Sequence, residues 1–196
     1  AIAREALRAL PTPPTHVFVQ SGVGGIAAAL AGYLAVALGD DRPTFVVVDP
    51  ARSACIVESA KAGHPVIVPH GEPTVMAMLE CYEPSLVAWR VLSRVADAFM
   101  TVDDADAVAV MKRLACPESG DPAIVAGESG GVGLAGLIKA VGDAGMRSAL
   151  KLNDRSYVLV VNTEGATDPE LYRKLVGSSP EEIRAREATA NSGASA

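Results

Sequence analysis

Two glycine-rich stretches carry residue types at a spacing that could hold an anion or build a nucleophile. The first, Ser21-Gly22-Val23-Gly24-Gly25, follows the apolar run HVFVQ and leads into IAAALAGYL. Consecutive backbone N–H groups at a helix start, with no Cβ in the way, make a phosphate cradle, and the Ser21 hydroxyl can add one more hydrogen bond. Three chemistries use such turns. Gly22-Val23-Gly24-Gly25-Ile26-Ala27 satisfies G-x-G-x-x-[GA], and Asp49 closes the next strand where a ribose-binding acid belongs, so an NAD(P)-binding oxidoreductase is one reading. Against it, a helix and Pro11, Pro13 and Pro14 precede what should be an opening strand, and Asp49 suits a helix N-cap equally well. The second stretch, Gly127-Glu128-Ser129-Gly130-Gly131, satisfies the G-x-S-x-G of a serine hydrolase elbow. That fold needs its histidine after the serine, and His16, His64 and His70 all precede it, which excludes the triad. The third reading is pyridoxal phosphate, whose single phosphate monoester needs the same convergent donors. One glycine turn does not choose among these ligands.

The elements that must position both turns follow from hydrophobic periodicity. Strands are predicted at 16–20, 44–49, 65–69, 98–102, 123–126 and 157–162, and helices at 2–10, 23–38, 52–62, 84–96, 104–115, 131–143 and 168–176. Helix starts are marked by Pro84, by Asp103-Asp104 and by Thr167-Asp168-Pro169. Strand–helix alternation predicts an α/β fold: a three-layer αβα open, mostly parallel sheet, with ligands at the carboxyl ends of the strands. Both glycine turns lie there. No solenoid-type repeat is present.

Bulk composition narrows the partners. The 196 residues are 49% hydrophobic and 4% aromatic, enough for one layered domain with a real core. A net charge of −6 without a Lys/Arg cluster argues against nucleic acid and anionic membranes. No apolar run reaches membrane-spanning length. Cys55, Cys81 and Cys116 are isolated, as expected of reduced thiols in a cytoplasmic protein, and the histidines show no metal-ligand spacing. The histidines are read as turn residues, Cys81 as a buried thiol and Trp89 as a packing residue. The chain opens within an amphipathic helix, as if cut from something longer, and residues 177–196 read as a polar, flexible tail after a domain covering 1–176.

An ordered set of segments carries a family resemblance: THVFVQSGVGGIAAALAGYL, VVVDPARSACIVES, PTVMAMLECYEPSLVAWRVL, VDDADAVAVMKRLA, IVAGESGGVGLAGL and VNTEGATDPELYRKLV. Together they resemble the C-terminal half of the diaminopropionate ammonia-lyases, fold-type II pyridoxal-phosphate enzymes related to threonine dehydratase, over about residues 5–176. The resemblance implies a tryptophan synthase β-like fold, pyridoxal 5'-phosphate as cofactor, and α,β-elimination of 2,3-diaminopropionate or a related β-substituted amino acid to pyruvate and ammonia. It implies that Ser21, Gly22, Val23, Gly24 and Gly25 cradle the cofactor phosphate and that Glu128, Ser129 and Gly130 line the site. It also implies that Thr163 or Glu164, in the NTEG stretch, meets the pyridine nitrogen. A neutral hydroxyl there leaves the pyridine unprotonated, whereas a carboxylate favours its protonation. A homodimer is implied for the complete enzyme.

Two departures stand out. Met78 and Tyr82 replace glycines usual in the family; they narrow the substrate pocket if they face it, while Met78, read as helical, could equally face the core. The family's Schiff-base lysine and its proton-abstracting acid lie upstream of the matched segments. Lys61, Lys112, Lys139, Lys151 and Lys174 all fall on polar faces or in turns. No catalytic residue and no metal ligand is therefore assigned within these residues, and the isolated chain is expected to be inactive. The competing readings are the oxidoreductase and a non-catalytic cofactor-binding fragment.

Overall fold

The computed structural model describes residues 2–118 and 121–193. Its centre is a sheet of four parallel strands, β1 (His16–Gln20), β2 (Thr44–Pro50), β3 (Ala98–Val102) and β4 (Val158–Val160), in the order β3-β2-β1-β4. The registers His16 opposite Thr44 and His16 opposite Val158 align the ends of the three strands that matter for the site.

Alternation along the strands divides the core. Val17, Val19, Phe45 and Val47 point to one face and pack against α2 (Gly25–Leu38), α3 (Cys55–Ala62), α4 (Leu86–Val95) and Ala3 of α1 (Ile2–Ala9). Phe18, Val46 and Val48 point to the other, under α5 (Asp104–Ala115) and α6 (Val132–Gly142). This is the expected three-layer arrangement. Trp89 is buried on α4 with its ring 6.4 Å from that of Phe99, a packing residue as expected.

Glycines on α6 set its distance from the sheet. A Cβ on Gly133 would stand 2.5 Å from the Phe18 carbonyl, and one on Gly136 would stand 2.6 Å from Val48 Cγ2. Helix starts follow their sequence signals: the Asp168 carboxylate accepts from the N–H groups of Glu170 and Leu171 ahead of α8 (Pro169–Val176). The Asp106 carboxylate accepts from the Asp103 N–H at the start of α5.

Four expectations differ from the structure. Residues 65–69 form no strand, because Pro65 and Pro69 lack the N–H a ladder needs. Residues 123–126 follow Pro122 and also stay outside the sheet; Ile124 donates instead to the Leu114 carbonyl. A further short helix, α7 (Ala144–Ala149), follows α6, started by the Asp143 carboxylate accepting from Met146 N–H. Within the stretch read as a tail, α9 (Pro180–Gly193) is helical, and its Ile183 is fully buried against Met111 and Tyr172; residues 194–196 lie outside those described.

Candidate functional site

Three turns meet at the carboxyl end of the sheet. The first leaves β1 as Ser21 to Gly24 and enters α2. Gly24 adopts φ +94°, the left-handed region that glycine alone enters freely, and a Cβ there would also press on Ile56, Ala88 and Leu92. No side chain caps α2 and its first turn holds no acid, so its leading N–H groups are left for an anion. Gly25 opens the helix with nothing within 4 Å of where its Cβ would stand. Gly22 is the opposite case: a Cβ would lie 3.0 Å from Cys81 Sγ and 3.2 Å from Leu79 Cα, so the segment 74–84 closes tightly over the turn. That segment is held at its start by Thr74, whose hydroxyl donates to the Asp104 carboxylate, itself paired with Arg52 at 3.1 Å. Ser21 is buried, whereas the Val23 side chain is partly exposed and its carbonyl accepts from Ser85 N–H.

The second turn, Gly127 to Gly131, precedes α6, and the third, Asn162 to Thr167, follows β4. They fit together because two residues lack side chains. A Cβ on Gly127 would stand 2.3 Å from the Gly165 carbonyl, and one on Gly130 would stand 2.3 Å from Asn162 Oδ1. Across this seam Gly127 N–H donates to the Glu164 carbonyl at 3.0 Å, and Ser129 N–H donates to Glu164 Oε2 at 2.8 Å. The other oxygen, Glu164 Oε1, accepts from the Thr167 hydroxyl. Glu164 therefore turns back into the protein, while Thr163 stays exposed.

Gln20, the last residue of β1, ties the first turn to the other two. Its Nε2 donates to the Gly130 carbonyl at 3.1 Å, to the Val161 carbonyl at 2.9 Å and to Thr163 Oγ1 at 2.6 Å. The sequence reading passed over it. Its signal was present: a polar residue at the parity of Phe18, where an apolar side chain belongs.

Buried polar atoms without partners concentrate here. Gln20 Oε1, Glu128 Oε1 and Ser129 Oγ all belong to or adjoin the three turns. Native proteins leave few such atoms, and each calls for a partner such as an ordered water or a ligand. Burial raises the Glu128 carboxyl above its ordinary range, and the charges of Glu164 and Asp168 raise it further.

Asp49 does not serve a ribose. It is fully buried, and its Oδ2 accepts from Ile56 and Val57 N–H at 3.0 Å each, at the start of α3. Burial pushes its carboxyl up to about 7, against the pull of those two N–H groups and of the Ser21 hydroxyl. The dinucleotide reading thus loses its acid to the helix-start role.

Met78 is 70% exposed, in a 3-10 turn over Ala77–Leu79, so it does not face the core. Tyr82 stacks on His70 at 3.8 Å, and its hydroxyl donates to Glu80. His16 is buried on β1 rather than in a turn, its Nε2 2.8 Å from the Leu150 carbonyl. Cys81 is half-buried beside Gly22, and burial raises its thiol. Lys61, Lys112, Lys151 and Lys174 are exposed, and Lys139 is half-exposed near Asp103 and Asp106. Among the described residues no group of three or more His, Cys, Asp or Glu could hold a metal, and no helix is long and apolar enough to cross a membrane.

The family described as pyridoxal-phosphate dependent enzyme matches residues 1–164. The chain belongs to that family. A diaminopropionate ammonia-lyase of Escherichia coli K12 is 38% identical over 178 residues, which is 89% of this chain and 44% of the relative. The crystal structure of the Escherichia coli enzyme, in complex with an aminoacrylate-PLP azomethine reaction intermediate, superimposes with a TM-score of 0.80 at 36% identity, covering 89% of this chain and 45% of that one. Threonine deaminase isoform 2 of Solanum lycopersicum shares the fold at a TM-score of 0.73 and 18% identity, covering 90% of this chain and 47% of that one. The chain therefore spans less than half the length of these three relatives.

Proposed function

We propose that the chain forms the cofactor-cradling part of a pyridoxal-phosphate-dependent ammonia-lyase acting on 2,3-diaminopropionate or a closely related β-substituted amino acid. The observation that carries this is the joining of three turns by Gln20 and Glu164 at one end of a parallel sheet. The residues fit the cofactor: an uncapped helix N-terminus, open space at Gly25, and unpartnered buried polar atoms around it. Asp49 lies beneath the first turn, but its raised pKa keeps it largely neutral below pH about 7, which spares a phosphate dianion one repulsive charge.

In this reading the turn holds the phosphate through the backbone N–H groups of Gly22, Val23, Gly24 and Gly25 and the α2 dipole, with Ser21 contributing its hydroxyl because its own N–H donates to the Val48 carbonyl. Glu128, Ser129 and Gly130 supply the wall of the site through the turn backbone. Thr163, not Glu164, meets the pyridine nitrogen, because both Glu164 oxygens are engaged within the protein while Thr163 is exposed. When bound, pyridoxal phosphate supplies the electron sink for charge developing at the substrate Cα. The net reaction removes the α-proton and the β-amine and, with one water, yields pyruvate and two ammonia. The lysine and the base come from the part of the longer relatives that this chain does not cover, and the complete enzyme works as a cytoplasmic homodimer.

The test is titration of the chain with pyridoxal phosphate and, separately, with NADH. Saturable binding of the first, seen as a shift in the cofactor's absorbance, and no energy transfer from Trp89 to the second are expected. Saturable NADH binding without pyridoxal phosphate binding overturns the proposal.

A further inference from the structure

The Gln20 amide has two protons and sits against three oxygens, with its own Oε1 buried and unpartnered. Its orientation is set by chemistry. The Gly130 and Val161 carbonyls can only accept, so the NH2 group must face them, and reversing the amide would bring oxygen against oxygen. The third and shortest contact, 2.6 Å, goes to Thr163 Oγ1. A hydroxyl whose oxygen receives a proton from an amide keeps its own proton free to give away. Thr163 is exposed, so that proton is directed out of the protein and toward the ligand face. Joining the two turns needs only the two carbonyl contacts, and the third serves the hydroxyl.

We propose that Gln20 is a positioning residue that fixes the Thr163 hydroxyl as a hydrogen-bond donor toward the pyridine nitrogen of the cofactor. The proposal rests on the reading of Thr163 as the ring partner. Gln20 touches neither cofactor nor substrate; it acts through Thr163 by deciding which way that hydroxyl gives its proton. Its place one residue before Ser21 couples this setting to the phosphate cradle, so the two ends of the cofactor are held by one strand terminus.

The test uses the chain loaded with pyridoxal phosphate carrying 15N in the ring, and a double-mutant cycle of Gln20→Leu and Thr163→Val. In the wild-type chain the ring nitrogen signal stays that of an unprotonated, hydrogen-bonded pyridine through neutral pH. Each single variant moves the signal and weakens cofactor binding about tenfold, the worth of roughly one hydrogen bond. The double variant gives the same ring nitrogen signal as Thr163→Val, because what Gln20 does to the ring passes through the hydroxyl, while any further loss of affinity reads the severed Gly130 and Val161 carbonyl contacts. A nitrogen signal that Gln20→Leu leaves unmoved, or one that the double variant moves further than Thr163→Val does, overturns the proposal while leaving the cofactor reading intact. Absence of saturable cofactor binding by the wild-type chain overturns both. If Gln20→Leu does not fold, Gln20→Met replaces it. Thr163→Val, at an exposed position, is decisive in either case: an unmoved nitrogen signal there overturns the proposal.

Discussion

Asp49 holds a proton more tightly in the folded chain than in the unfolded one, its carboxyl raised from 3.8 to about 7, chiefly by burial. Between those values the folded state binds more protons, so stability falls as pH rises through the window and levels off above it. Asp49→Asn keeps an oxygen for the Ile56 and Val57 N–H groups but does not titrate. Chemical denaturation at about pH 5 and about pH 8 should show the wild-type advantage over Asp49→Asn shrinking by on the order of 2–4 kcal/mol. A difference independent of pH would show that Asp49 does not carry the titration. Two glycines separate folding from binding at the same scale. Gly130→Ala drives a Cβ to 2.3 Å from Asn162 Oδ1 and 2.6 Å from the Glu164 carbonyl. The seam must open, lowering stability by about 1–3 kcal/mol and weakening the cofactor site with it. Gly25→Ala meets nothing and should leave the melting temperature unchanged or higher, yet its methyl enters the cradle and weakens pyridoxal phosphate binding about tenfold. Equal losses of stability in the two variants would contradict the placement of Gly25 at an open cradle.

Elements were legible where periodicity and caps agreed. HVFVQ and AFMTV form strands over the expected residues, and Asp168-Pro169 starts a helix as its type requires. Periodicity misled where proline removed the donors: PVIVP and AIVA are apolar enough for strands but cannot join a ladder. Asp49 shows a different limit, since a motif match fixes spacing but not whether the acid faces a ligand or a helix start. Gln20 was passed over because a ladder pattern is read for its apolar members. The helix α9 was obscured by polar composition, although its Ile183 is a fully buried apolar anchor. That anchor is testable at the scale of the element. Ile183 fills a satellite core with Met111, Ala115 and Tyr172, so Ile183→Ala should lower stability by about 2–4 kcal/mol, read from denaturant midpoints. A loose tail would show no change.

The sheet order leaves β3 and β4 at its two ends, and β4 has only three residues, half-buried. A parallel sheet ordinarily has both faces covered, as this one does, and the chain that builds it matches 44% of its relative's length. The same incompleteness applies to the chemistry. A Schiff-base lysine works when its amine is desolvated beside the cofactor, whereas the five lysines here lie exposed or half-exposed, Lys61 and Lys139 near acids. Borohydride reduction in the presence of pyridoxal phosphate distinguishes the two situations, since it fixes whichever amine holds the aldehyde. In the 196-residue chain the label should spread over surface lysines and rise with cofactor concentration without saturating. In a longer protein that contains the rest of the family's length, one label per chain should saturate on a lysine outside these residues. Stoichiometric labelling of a single residue among Lys61, Lys112, Lys139, Lys151 and Lys174 would instead place a complete covalent site within this chain, and the half-site reading would have to be abandoned.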